Sequence, residues 1–241
     1  MSGRHMIEAL IAGERDGATL AEMAIGRMRN QLPVLVDALT GHFDAHHAVA
    51  ARQILDHIDF LDTRITAMSE QIAARMVPFT AAVELLIEIP GISHVSSEIV
   101  IAETGGDMGR FPSPAHLASW AGVAPGNHES AGKRRRVGTT NGNRWLRRTL
   151  IESARAAART KASYFAAQYA QIARRRGPNK AAVAVAHSLT DVIWHVLSTG
   201  ERFEDLGNDY FDGRRDPERE ARRLVQRLEA LGHSVTIAPT A

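Results

Sequence analysis

The sequence predicts a mostly α-helical fold, and three observations carry that prediction. Aromatic residues make up only 5% of the chain. Strict apolar–polar alternation, the mark of strands, is hard to find, whereas apolar residues recur at helical spacing. Glycine and proline then cut the chain into successive helical segments. The expected architecture is a helical hairpin or coiled-coil connector over 1–78. An α-rich domain with a helix-hairpin-helix-like element and a Gly-rich loop or small hairpin follows over 79–176, and a C-terminal helical extension covers 177–241.

Ala18 to Leu39 reads as one helix, with Ala21, Ala24, Ile25, Met28, Leu32, Leu35 and Leu39 on one face. Pro33 is expected to kink it and Gly41 to end it. The segment 45–76 is the most regular. Ile54, Ile58, Leu61, Ile65, Met68 and Ile72 form an a/d seam with charged residues interleaved. An antiparallel hairpin turning near Gly41–Asp44 and a dimeric coiled coil both satisfy that spacing. Pro78 stops the segment. Further helices are expected over 79–89, 94–104, 114–121, 143–176, 179–198 and 217–231, with loop or β-hairpin material over 123–140.

Composition excludes several functional classes. Hydrophobic residues are 44% and charged residues 23%, which is not the balance of a disordered tail. The chain has 0 cysteines, so disulfides, Cys-ligated zinc, iron–sulfur clusters and a cysteine nucleophile are ruled out. No signal peptide is evident in 1–16. The most apolar stretch, Ala181–Leu197, reads as too short and too polar to span a bilayer. A soluble, cytoplasmic protein with no membrane partner is expected.

The net charge of +2 conceals a strong asymmetry. Residues 110–180 carry 15 Lys and Arg against 2 acids, whereas 1–109 carry 7 against 15 and 181–241 carry 7 against 10. A segment at +13 between acidic flanks points to a polyanion, nucleic acid first.

Three motifs could carry chemistry. In Leu85–Ile92 the turn Pro90-Gly91-Ile92 joins two helices and resembles a helix-hairpin-helix, whose backbone N–H groups suit a DNA phosphate. Ser93 stands where that pattern usually has a second glycine, and an ordinary core-packing hairpin is an equal alternative. Next, Gly122–Arg136 holds Ser130 in a glycine-bounded loop just before Lys133, Arg134, Arg135 and Arg136. Cations near a serine hydroxyl would hold a phosphodiester and offset the charge that develops during attack. From composition alone a turn serine is the commoner reading, since most serines in Gly-rich loops are turn residues. Finally, Arg144, Arg147 and Arg148 share a helical face (i, i+3, i+4), with Leu146, Leu150 and Ala154 on another, as a phosphate-tracking helix requires. His187, Asp191 and His195 also share a face, but partly buried polar helix residues are commoner than metal ligands, and no metal site is expected.

The stretches Leu85–Ile92, Gly109–Gly122, Glu129–Lys133 and Gly142–Arg147 together resemble the C-terminal half of bacterial insertion-sequence transposases of the 110/116/902 family. The upstream helices resemble that family's connector. The resemblance implies DNA transposition by a composite active site. In it, an N-terminal RNase-H-like domain supplies acidic residues that bind magnesium, and the C-terminal domain supplies a serine that attaches covalently to DNA. That serine corresponds to Ser130, and the family's following cations correspond to Lys133 and Arg134–Arg136. The resemblance further implies DNA and a guide RNA as partners. The acidic domain is expected to be missing from this chain, which would then hold no cofactor and be inactive alone. A homo-oligomer through the 45–76 helix is expected.

Overall fold

A computed structural model describes residues 2–126, 129–130, 133–134, 138–211 and 217–236. The helical prediction holds, and the chain divides into two compact units, Met1–Arg75 and Met76–Ala241.

The first unit contains α1 (Ser2–Ala12), α2 (Gly17–Glu22), a 3-10 turn (Gly26–Gln31), α3 (Leu32–Leu39) and α4 (Ala45–Met76). The single helix expected over 18–39 is therefore broken. Helix α2 ends at Glu22 with Met23 as its C-cap, Ile25 is extended, and Gly26, at φ +64°, opens the 3-10 turn. Pro33 sits at the start of α3, where its missing N–H costs nothing, and makes no kink. The predicted apolar face divides with the helix: Ala21 and Ala24 are buried, but Ile25 is 60% exposed. A small core of Met6, Leu20, Ala21, Ala24 and Leu55 results. Arg4 ties α1 to α4 by donating to Asp59 at 2.6 Å and to Glu8 at 2.9 Å.

Helix α4 matches the predicted segment at both ends, and its seam is exposed. Ile54, Ile58, Leu61, Ile65, Met68 and Ile72 are each 41–64% exposed, and Leu55 is the helix's one buried residue.

The second unit begins with a 3-10 turn and α5 (Thr80–Ile87), then α6 (His94–Thr104), α7 (Pro114–Trp120), the paired β1 (Glu129–Ser130) and β2 (Lys133–Arg134), α8 (Arg144–Ala157), α9 (Tyr164–Arg176), α10 (Pro178–Thr199) and α11 (Pro217–Ala230). The helix expected over 143–176 is two helices. Ala162 takes a left-handed φ of +56°, and the buried Ser163 caps α9 by accepting from the Ala166 N–H at 3.2 Å. No glycine or proline marks this break, so composition could not show it.

Helix α10 lies at the centre of the core and is not part of an extension. It buries Ala181, Ala182, Val185, Ala186, Leu189, Thr190, Ile193 and Val196. It packs against α5, α7, α8 and α9. At 22 residues it is, contrary to expectation, long and apolar enough to cross a membrane. Its burial explains that composition, since a helix surrounded by protein is apolar all round.

The turn between α5 and α6 closes onto α8. Ile89 and Ile92 are buried, and Gly91 holds φ +87°. A Cβ at Gly91 would collide with the Ser153 carbonyl and come within 2.6 Å of the Ala157 nitrogen. Gly91→Ala combines a left-handed strain with this overlap. It is expected to destabilise the chain by roughly 2 kcal/mol or more, read as a lowered denaturation midpoint. An unchanged midpoint would show that the turn does not pack on α8.

Candidate nucleic-acid interface

Helix α8 starts where the chain is pinched. Asn143 caps it by accepting from the N–H groups of Trp145 and Leu146, each at 3.0 Å. The Asn143 side-chain amide also donates to Glu103 of α6, and its backbone N–H donates to the Trp120 carbonyl at 2.8 Å. These contacts fix the orientation of α8 against α6 and α7. Leu146, Leu150 and Ala154 are buried, as the sequence requires, and turn the arginines outward.

Those arginines have different surroundings. Arg144 is exposed and stacks on Trp145, with its guanidinium 4.7 Å from the ring centroid. Trp145 itself is 55% exposed, beside the cations. Arg148 pairs with Glu152 at 3.0 Å, so part of its charge is neutralised locally. Arg147 is half-buried and lines a cleft with Lys180 of α10. Further along α8, Arg155 donates to Asn179 at 3.5 Å, which sets the start of α10 beside α8. Helix α9 ends in the exposed Arg174-Arg175-Arg176, only a few residues before that point. Among the described residues, Glu152 is the one acid paired with these cations. Arg147 and Arg155 of α8 thus both meet the start of α10, where Asn179 and Lys180 lie.

The serine loop rises from the same region. Its base is held by a Pro125–Thr139 bridge and by backbone donation from Gly126 to the Gly138 carbonyl (3.0 Å) and from Thr140 to the Ala124 carbonyl (3.1 Å). Above it, β1 and β2 pair antiparallel, with Glu129 opposite Arg134 and Ser130 opposite Lys133. The expected Gly-rich loop or small hairpin thus has one antiparallel two-residue pairing in its described backbone. Arg135 and Arg136 lie outside the described residues.

At the Pro90-Gly91-Ile92 turn, Ile89 donates to Leu86 and Ile92 to Ile89. The Ser93 N–H donates to Ser96 Oγ at 2.6 Å in a capping box. These N–H groups already have partners inside the protein.

Sequence reasoning did not bring Lys180, Asn179 and His187 to the cleft. They lie more than thirty positions from Arg147, and only the fold joins them. The predicted His187–Asp191 spacing does form a contact, Nδ1 to Oδ2 at 3.4 Å. No group of three or more His, Asp or Glu able to hold a metal is present among the described residues.

Residues 83–170, from α5 into α9, match the Transposase IS116/IS110/IS902 family. Over that segment the chain is similar to this family. A Pseudomonas aeruginosa protein named "Probable family 20 transposase" is 31% identical over 151 residues, covering 61% of this chain and 44% of the relative. The Coxiella burnetii "Transposase for insertion sequence element IS1111A" is 32% identical over 119 residues, 48% of this chain and 32% of the relative. A Streptomyces coelicolor insertion element IS110 protein is 30% identical over 151 residues, 60% and 37%. The chain thus aligns with less than half the length of these relatives. The transposase segment contains the serine loop and all of α8, whereas α10, which completes the cleft, lies beyond it.

Hydrogen bonding to Asp191 holds the His187 imidazolium above its ordinary pKa, against a desolvation penalty that acts the other way. The protonated form is favoured in the folded state. The resulting stabilisation is full below the ordinary histidine pKa of about 6.5 and is lost as pH rises through the elevated folded value. In an NMR titration His187 should titrate above that ordinary value, and Asp191→Asn should bring it down. A midpoint unmoved by Asp191→Asn would remove the pair as the cause.

Proposed function

We propose that this chain is the serine-bearing, DNA-holding part of a bacterial insertion-sequence transposase. The observation that supports this most is convergence within one unit. The base of the Ser130 loop, Arg147 of α8 and Lys180 of α10 line one cleft, and the family match covers the loop and α8. Cations gathered this way hold phosphates without reading bases. In this reading Lys133, Arg134, Arg135, Arg136, Arg144, Arg147 and Arg148 clamp the backbone. Pro90, Gly91 and Ile92 set the α5–α6 turn, whose packing against α8 supports the clamp.

Ser130 acts as the nucleophile. Its Oγ forms a bond to a DNA phosphorus, and the sugar oxygen of the broken ester leaves with a proton. A sugar hydroxyl later reverses the step on the joined strand. The acidic magnesium-binding domain and the guide RNA implied by the resemblance are supplied from outside the residues described. The α4 seam is covered by the seam of a second copy, because its a/d spacing suits a helix of the same kind.

The decisive assay adds a relative's acidic domain and an insertion-sequence end to the chain and looks for a covalent DNA–protein adduct. Adduct with wild type and none with Ser130→Ala is expected. Equal adduct in both would remove Ser130 from the chemistry. DNA binding with no adduct in either would leave a non-catalytic nucleic-acid-binding module. For the seam, sedimentation equilibrium should give a dimer that Ile58→Asp with Ile65→Asp converts to monomer. A wild-type monomer would contradict the paired seam.

A further inference from the structure

The cleft beside the serine loop has a composition that phosphate clamping alone does not need. Its volume is about 610 Å³, well inside the range of roughly 300–1,000 Å³ typical of small-molecule sites. Its floor is aliphatic, formed by Val123, Pro125, Val183 and Ala184. Its rim carries Arg147 and Lys180, and no carboxylate is among its lining residues. A simple anion would gain nothing from the aliphatic floor, and a purely apolar ligand would gain nothing from the cations. The combination fits a flat, weakly polar body attached to a phosphate.

We propose that this cleft captures one unpaired nucleotide of a DNA strand, with its base against the floor and its phosphate at Arg147 and Lys180. The proposal rests on the DNA reading above and names what that surface takes. A base in duplex DNA is stacked and paired, so it reaches such a floor only when unstacked. Unstacking costs least where the strand is already single. Aliphatic contact with the face of a base reads no hydrogen-bonding edge, which suits a site that holds rather than reads.

The location gives the capture a purpose. Gly138 and Thr139, which form one wall, are the residues that pair with Gly126 and Pro125 at the base of the serine loop. Ser130 is five positions from Pro125, so chain reach limits their separation to about 18 Å. A nucleotide held in the cleft would fix the strand within a few nucleotides of the proposed nucleophile.

The test uses the full chain and fluorescence anisotropy with an oligo-dT of about 20 nucleotides, longer than common single-strand site sizes. An abasic strand of equal length, an oligo-U and a duplex complete the set. Wild type should bind oligo-dT about tenfold more tightly than the abasic strand. Ala184→Trp fills the cleft, and it should lower oligo-dT affinity to the abasic level while leaving duplex affinity unchanged. Lys180→Ala, at an exposed position, should weaken oligo-dT and abasic strands alike and preserve their ratio. It keeps the test valid if Ala184→Trp does not fold.

Retained discrimination in Ala184→Trp, or no single-strand effect of Lys180→Ala, overturns the cleft as the site. Wild type that binds every strand without favouring dT over abasic overturns the capture but leaves the DNA reading standing. Tighter binding to oligo-U than to oligo-dT overturns the assignment to DNA. Binding to none of the strands overturns both readings.

Discussion

The second unit depends on one close backbone approach, between Gly122 and Gly142. A side chain at Gly142 would overlap the Gly122 backbone, including its Cα at 2.6 Å, and come within 2.5 Å of the Trp120 carbonyl. Gly122 also holds φ +73°. Only glycine permits both the contact and the turn. This pinch brings the two ends of the serine loop together, ends α7 and starts α8 at a fixed point. Asn143 follows at once and ties the start of α8 to α6 and α7. The position of the loop and the direction of the arginine helix are thus consequences of one constraint.

The pinch works because the core behind it is made for close approach. The face of α10 is rich in alanine, and a second glycine contact, Gly91 on α8, locks the α5–α6 turn down. Small residues let helices approach closely, so loss of any methyl-sized fit is felt throughout the unit. The large charge on the outer surface needs such a rigid support. Like charges on α8 and α9 repel one another when no polyanion is bound. The apolar packing beneath them must offset that repulsion.

Much of this was legible in the sequence, for physical reasons that can be named. Leu146, Leu150 and Ala154 marked the buried face of α8, because helical period decides burial when a helix has one wet side. The bounds of α4 and α6 followed from the glycines and prolines that flank them. The loop's hairpin character was carried by its glycines and threonines. The break at Ala162 was invisible, because an alanine in the left-handed region gives no compositional signal. The cleft was invisible too, since Arg147 and Lys180 meet only through the packing of α8 on α10. Ile25 misled because its spacing is correct for a helix that has already ended at Glu22. The seam of α4 was readable as a seam, but spacing carries no information about what covers it.

The central claim is that the basic side formed by α8, α9 and the start of α10 holds nucleic-acid phosphates. Its most direct test is the salt dependence of duplex DNA binding by the full chain. Each neutralised phosphate contributes a slope of about −0.9 to log Kobs against log salt. Wild type should give a linear plot with a slope of about −4 or steeper, the mark of several phosphate contacts. Replacing Arg174, Arg175 and Arg176 with alanine should make that slope shallower by about one for each cation that meets a phosphate. A slope near zero, or one that this triple replacement leaves unchanged, would contradict the account.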